Sequence, residues 1–302
     1  MPTPNDTAEL DQLRSGLASF GLSVPEVVLP EHKFVISSGV KIHYLDWGSN
    51  GKPPMLLVHG GGLTARSWDF FSLAMRQQCH VFAIDQRGHG DSQWPEAPDY
   101  RRDDFIGDLR TLADEIGEPF ILVGLSLGGV NSLSFTAAYP SYVRALVIVD
   151  VGPELSSAGV DRLFAFMNAE DKLGGIEALL ERSKNFNPLR PEDQLNQSIR
   201  RNLKQLPDGS WTWKYDPRIR TRELWEHWTN SEDMWSFVHQ VHCPTLVVRG
   251  GDSDIFTKEA AEHLQAAIPG SQLAIVERAG HTVPQDNPAA FEAAVKRFLS
   301  SL

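Results

Sequence analysis

Cysteine is nearly absent from this chain. Its 302 residues hold only Cys79 and Cys243, too few and too far apart for a disulfide framework, and each precedes a short apolar run where a small buried thiol is ordinary. Two free structural cysteines are therefore expected. No stretch of about 18 apolar residues occurs, which argues against a membrane-spanning helix. The opening MPTPNDTAELDQ lacks a basic segment followed by an apolar one, so no secretory signal is visible and a cytoplasmic enzyme is expected. Basic charge is also in deficit. The formal net charge of −11 gives a field that repels phosphate backbones and anionic lipid, so neither nucleic acid nor a membrane surface is expected as a partner. Repeats and low-complexity segments are missing as well.

What is present is an alternation. Short apolar runs at 41–47, 55–58, 80–84, 120–124, 145–149, 245–249 and 272–276 read as strands. The later ones are apolar throughout, as suits strands buried on both faces of a parallel sheet. Helical patterns fall between them near 67–77, 103–116, 127–139, 258–267 and 287–300. Strands alternating with helices predict an α/β fold, a doubly wound and mostly parallel sheet with right-handed crossovers. Leu10, Leu13, Leu17 and Phe20 predict a short amphipathic helix over 8–20, inside an N-terminal extension of residues 1–30. The rhythm breaks at 153–240, where no strand-like run appears. This stretch predicts an inserted helical cap, dividing a core made of 31–152 and 241–302.

The chemistry concentrates at four loops. Gly124-Leu125-Ser126-Leu127-Gly128 fits G-x-S-x-G between a strand and a helix, a turn that exposes a nucleophilic Ser126 at the helix N-terminus. His59-Gly60-Gly61-Gly62 follows the strand at 55–58. Acyl transfer needs two N–H donors on the developing oxyanion, for which Leu127 and either Gly61 or Gly62 are the candidates. His59, at the start of that turn, reads as structural. Serine also needs a base held by an acid. Of ten histidines, His281 follows the last predicted strand and is the expected base; His227, His239 and His242 lie in or beside the cap, and His89 in a mid-chain loop. For the acid, Asp254 in GGDSD is the first choice. Asp150, ending ALVIVD, and Asp252 are the alternatives.

These pieces, HGGG (59–62), the loop 85–92 (DQRGHGDS), GLSLGG (124–129), GGDSD (250–254) and AGHTVPQDNP (279–288), stand in the order of the cofactor-independent α/β-hydrolases with a helical cap, and the chain resembles that family over residues 40–302. The resemblance implies a serine hydrolase of an ester or lactone of a small, apolar or aromatic metabolite, working through an acyl-enzyme, with no cofactor and no metal. It implies a structural role for 85–92. Serine at the elbow, where dehalogenases and most epoxide hydrolases of the family carry Asp, argues against those activities. C–C bond hydrolysis of a vinylogous diketone and amide hydrolysis remain as alternatives on the same triad, and a non-enzymatic ligand receptor as a third. Trp211, Trp213, Trp225, Trp228 and Trp235 are candidates to line an acyl pocket, with a self-contained cap core as the plainer reading. Arg200 and Arg201 could hold a substrate carboxylate, with ion pairing as the plainer reading. The oligomeric state is not legible.

Overall fold

The structure is a computed structural model, and it describes residues 4–97, 100–169, 176–188 and 190–302. The predicted cap therefore includes a few positions (170–175 and 189) outside the described residues, as do residues 1–3 of the predicted extension.

Eight strands form one sheet: β1 (Glu31–Ser37), β2 (Val40–Asp46), β3 (Pro54–Val58), β4 (His80–Ile84), β5 (Phe120–Leu125), β6 (Val143–Val149), β9 (Thr245–Gly250) and β10 (Gln272–Val276). Their spatial order is β1-β2-β4-β3-β5-β6-β9-β10. The pairs from β4 to β10 are parallel, while β1–β2 and β2–β4 are antiparallel. The unbroken apolar runs divide by alternation. Met55 and Leu57 enter one core with Ile121, Val123, Val147 and Val149, whereas Leu56 and Val58 enter the other with Leu122, Leu146 and Ile148. Every second side chain thus faces a different helical layer, which is why no polar position interrupts these strands.

One layer holds α2 (Asp69–Met75), the short α11 (Val283–Asp286) and α12 (Pro288–Leu299), together with α1 (Pro4–Ser19), which docks through Leu13 and Leu17. The other holds α3 (Arg102–Ile116), α4 (Leu127–Ala138) and α10 (Lys258–Ala267). Strand β1 was not anticipated. It alternates exposed and half-buried residues at the open edge of the sheet, with Phe34 and Ile36 exposed, so it lacks the apolar run that marks its neighbours. Both cysteines are free, Cys79 buried and Cys243 half-buried. Burial raises both thiol pKa values, that of Cys79 to about 11, so neither is a reactive thiolate.

Between β6 and β9 the chain makes α5 (Ser157–Met167), α6 (Ile176–Phe186), α7 (Glu192–Arg201), α8 (Arg222–Trp228) and α9 (Ser231–Val238). Two corrections to the expected helical cap follow. Short strands β7 (Leu203–Gln205) and β8 (Trp211–Trp213) form an antiparallel hairpin inside it, too brief to show as apolar runs. The last helix, α9, is not part of the cover: Met234 and Val238 pack into the core beside α4, where a crossover helix between parallel β6 and β9 belongs.

A buried bidentate pair anchors the loop after β4. Arg87 donates from Nε to Asp108 Oδ2 at 2.7 Å and from Nη2 to Asp108 Oδ1 at 2.8 Å. Breaking such a pair leaves a charge stranded in the interior. Asp108→Ala is expected to lower the unfolding free energy by about 3–5 kcal/mol. Urea unfolding at an unchanged slope checks this, and a loss below about 1 kcal/mol would show that the loop solvates Arg87 by other means.

Candidate active site

The strand order reverses around β3. From β3 the chain crosses to β4 on one side, then returns across β3 to β5 on the other. The crevice beyond the carboxyl ends of such strands is where ligands bind in open α/β sheets. The loops after β3, β5, β6 and β10 all converge there.

Ser126 is the single residue between the end of β5 and the start of α4. Its backbone sits at φ 52°, ψ −120°, a sparsely populated conformation for a residue with a side chain. The flanking glycines explain how the turn is tolerated. A Cβ on Gly124 would stand 2.3 Å from the Gly128 carbonyl oxygen, and one on Gly128 would stand 2.2 Å from that of Val58. Strand, turn and helix are packed too closely for any side chain at either point.

His281, in the loop after β10, accepts from Ser126 Oγ through Nε2 at 2.9 Å. Its Nδ1–H donates to Asp150 Oδ2 at 2.8 Å. Asp150 is fully buried at the end of β6, with φ 52°, and its carboxylate accepts two further bonds: Gly250 N–H on Oδ1 at 2.8 Å and Ser253 hydroxyl on Oδ2 at 2.6 Å. Three donors thus hold this buried carboxylate in place.

The expectation for Asp254 is overturned. Asp254 is exposed and its carboxylate accepts from Arg162 of α5 at 2.7 Å, whereas His281 Nδ1 is bonded to Asp150. The side chain of that turn which reaches Asp150 is that of Ser253, beside the Gly250 N–H. Asp252, the other alternative, uses its backbone N–H on the Ala279 carbonyl and does not meet His281 Nδ1.

The oxyanion candidates also separate. Among the described residues none accepts from the N–H of Leu127 or of Gly61. Gly62 is excluded as a free donor, because its N–H is given to His89 Nε2 at 3.2 Å. His89 is positioned to accept: Nδ1–H donates to the Arg87 carbonyl at 3.0 Å, and burial drives its pKa down to about 3, which keeps the ring neutral. His59 is equally structural. It bonds the Gly60 carbonyl and the Gln86 N–H, and burial lowers its pKa. Gln86 in turn donates to the His59 carbonyl and accepts from Asn131 of α4, tying the glycine loop to the helix behind Ser126.

Ser126 and His281 open onto a cavity of about 1110 Å³, counted to its open mouth. Its roof is mostly apolar and comes from the cap, with Leu163, Phe164, Phe166, Met167 and Phe186 among the lining residues. Of the five candidate tryptophans, Trp213, Trp225 and Trp228 line it and Trp211 and Trp235 do not. Trp228 is pinned by its Nε1–H to the Tyr100 carbonyl at 2.7 Å and edge-on to Phe105. Trp211 packs in the small core of the cap, and Trp235 lies against His263 of α10.

Arg200 and Arg201 are likewise outside the cavity. Helix α7 turns Leu195 and Ile199 inward, leaving Arg200 exposed on Asn196 and sending Arg201 to the buried Asp69 at 2.6 Å. The cations at the cavity are Arg190 and Arg220, which sequence reasoning missed. Arg190 is buried in a bond to Thr282 (2.6 Å) and an ion pair with Asp286, fastening the cap to the loop of His281. Arg220 lies over the Tyr215 ring. Of the buried polar atoms in the lining, Ser183 Oγ and Trp213 Nε1 have no hydrogen-bond partner among the described residues.

Comparison with known proteins bears on the whole chain. Residues 55–294 match the family described as the alpha/beta hydrolase family. The chain is 30% identical to the esterase Rv0045c of Mycobacterium tuberculosis over 284 residues, 90% of each protein. The crystal structure of that esterase superposes with a TM-score of 0.76 at 28% identity, covering 99% of this chain and all of the other. The chain is also 30% identical to a 2-(acetamidomethylene)succinate hydrolase of Mesorhizobium japonicum over 263 residues, 82% of this chain and 88% of that one. Among the described residues no helix is long and apolar enough to cross a membrane.

Proposed function

The chain belongs to the α/β-hydrolase family, and on that premise we propose that it hydrolyses a carboxylic ester or lactone of a small apolar or aromatic acid through an acyl-enzyme on Ser126. The observation that carries the proposal is a single imidazole, His281, bonded at once to the Ser126 hydroxyl and the buried Asp150 carboxylate, under an apolar roof.

The chemistry follows from these bonds. Ser126 Oγ attacks the carbonyl carbon while His281 Nε2 takes its proton. The imidazolium that forms is stabilised by Asp150, which also fixes Nδ1 as the protonated nitrogen of the resting ring. The carbonyl oxygen, now an oxyanion, is met by the N–H groups of Leu127 and Gly61, with the N-terminus of α4 adding its partial positive charge. His281 then protonates the departing alcohol. A water deprotonated by the same nitrogen releases the acid and restores Ser126. Neither cofactor nor metal enters this scheme.

Amide cleavage is the second reading. It is favoured by the 30% identity to a hydrolase whose named substrate carries an acetamido group.

A panel of esters, lactones and acetamido amides tests both readings, with short acetyl and bulky aromatic acyl groups as the paired arms. Trp225→Ala, which opens the roof, should cost about 1–3 kcal/mol in kcat/KM on the aromatic ester and leave the acetyl ester nearly unchanged. Trp235→Ala, outside the cavity, should change neither. Equal ratios in wild type and Trp225→Ala would remove the roof from specificity. A panel without ester turnover would remove the ester reading itself.

A further inference from the structure

Away from the triad, one cluster of polar side chains has no part in the scheme above. His32 of β1 and His43 of β2 share a face of the antiparallel pair, because His43 is registered with Phe34, two residues from His32. Their rings meet edge to edge, with His32 Nδ1 2.9 Å from His43 Nε2, centroids 5.0 Å apart and planes within 29°. Asp91 adds a carboxylate, and one ligand atom from each of the three residues lies within 4.8 Å of the others.

The cluster is built from behind. His43 is buried, and its Nδ1 is bonded to Asp85 Oδ2 at 2.7 Å. A carboxylate on one ring nitrogen fixes the tautomer and aims the lone pair of the other outward, as it does behind most metal-bound histidines. Here that lone pair meets His32 Nδ1, with an Asp91 carboxylate oxygen within 4.8 Å. The same Asp85 oxygen accepts the Asp91 N–H at 3.0 Å, so one buried acid places both ligands. This close approach depends on Gly90, where a Cβ would fall 2.2 Å from the Asp85 carboxylate. Ser92 closes the loop by accepting the His43 N–H and donating to the Asp85 carbonyl.

We propose that His32 Nδ1, His43 Nε2 and the Asp91 carboxylate form a divalent transition-metal site of the zinc class, with solvent completing the coordination. Two histidines and one carboxylate, with an open position, are a donor set that Zn²⁺ accepts. Tetrahedral bonds of about 2.0–2.1 Å hold two nitrogens roughly 3.4 Å apart, so the nitrogens must separate by about 0.5 Å from their present contact and the His32 ring must turn until both lone pairs converge on the ion. The exposed His32 makes that movement, and its Nδ1 proton passes to the solvent-facing Nε2. The half-exposed Asp91 side chain swings in from Lys214, its weak partner at 3.8 Å. The bound ion's charge is balanced by Asp91 and, through His43, by Asp85. The site stands apart from the proposed hydrolysis and does not depend on it.

Titration of the full chain with Zn²⁺ in a calorimeter tests this, with Co²⁺ as a visible-absorption probe. The wild type should bind one equivalent at this site, with Co²⁺ bands of a low-coordinate nitrogen–oxygen set. His32→Ala and Asp91→Asn, both at exposed positions, should each weaken that binding at least tenfold while retaining the wild-type melting temperature without metal. His281→Ala should leave it intact, which separates the site from any metal taken up by the triad. Affinity unchanged in both His32→Ala and Asp91→Asn, loss of binding in His281→Ala alone, or no saturable binding by the wild type would each overturn the proposal.

Discussion

Alanine in place of Ser126 is expected to lower kcat by about 10⁶-fold on any ester the wild type turns over, the scale seen when a triad serine is removed. The fold should not suffer. The hydroxyl contributes one bond, to His281, and the strained backbone at φ 52° is held by the packing of β5, α4 and the glycine loop rather than by that bond. Purified variant and wild type should therefore unfold at similar temperatures while differing in turnover by orders of magnitude. An organophosphonate should add once to the wild type, and mass spectrometry of its peptides should place the adduct on Ser126. A variant that keeps even a tenth of the activity, or an adduct on another serine, would mean that Ser126 is not the nucleophile.

Asn in place of Asp150 should cost about 10⁴-fold in kcat, because an amide no longer enforces the tautomer that leaves Nε2 free to accept the serine proton. Asp254→Asn should cost little, since it removes only an exposed ion pair with Arg162, worth about 0–1 kcal/mol. The pair of variants discriminates sharply because the two acids follow neighbouring strands, β6 and β9, and differ in what surrounds them. Comparable losses in both would imply that Asp254 reaches His281 during turnover. Removal of Asp150 also strands the Ser253 hydroxyl and the Gly250 N–H, so circular dichroism and melting of Asp150→Asn must accompany the kinetics.

That comparison also shows what could be read from the residues. Ser126 and His281 could be singled out as candidates because each sits in a local frame: a serine between two obligatory glycines, and a histidine directly after a strand. The acid had no such frame. Asp150 and Asp254 both follow apolar strands, and nothing within either segment says which carboxylate turns inward. The decision is made across the sheet, where β6 lies between β5 and β9. That order puts Asp150 beside Ser126 and lets the β9 loop grip it from the other side through Gly250 and Ser253.

The sheet itself was legible wherever burial on both faces forces continuous apolar runs, and not at β1, whose open edge tolerates lysine and glutamate. In the cap, the tryptophans could be counted but not aimed. Their orientation depends on how short helices with modest cores settle over the sheet, as with Trp211 and Trp213, neighbours on one short strand of which only Trp213 lines the cavity. Arg190 was missed for the same reason. Its partners Asp286 and Thr282 lie more than ninety positions away in sequence, at separations of 96 and 92.

The place of α9 has a consequence for how this architecture can be altered. Since α9 already supplies the crossover between β6 and β9, the segment before it is an excursion from the connecting loop of an otherwise complete β-α-β unit. Loop length enters the free energy of closure only logarithmically, each doubling costing about 0.6 kcal/mol. A replacement segment of quite different size could therefore be spliced between Gly152 and Asn230 without disturbing the strand order beneath. Asp150 and Ser253 lie on the sheet side of both splice points. The roof over Ser126 is in that sense an exchangeable cassette, while the residues that would perform the proposed chemistry stay with the chassis.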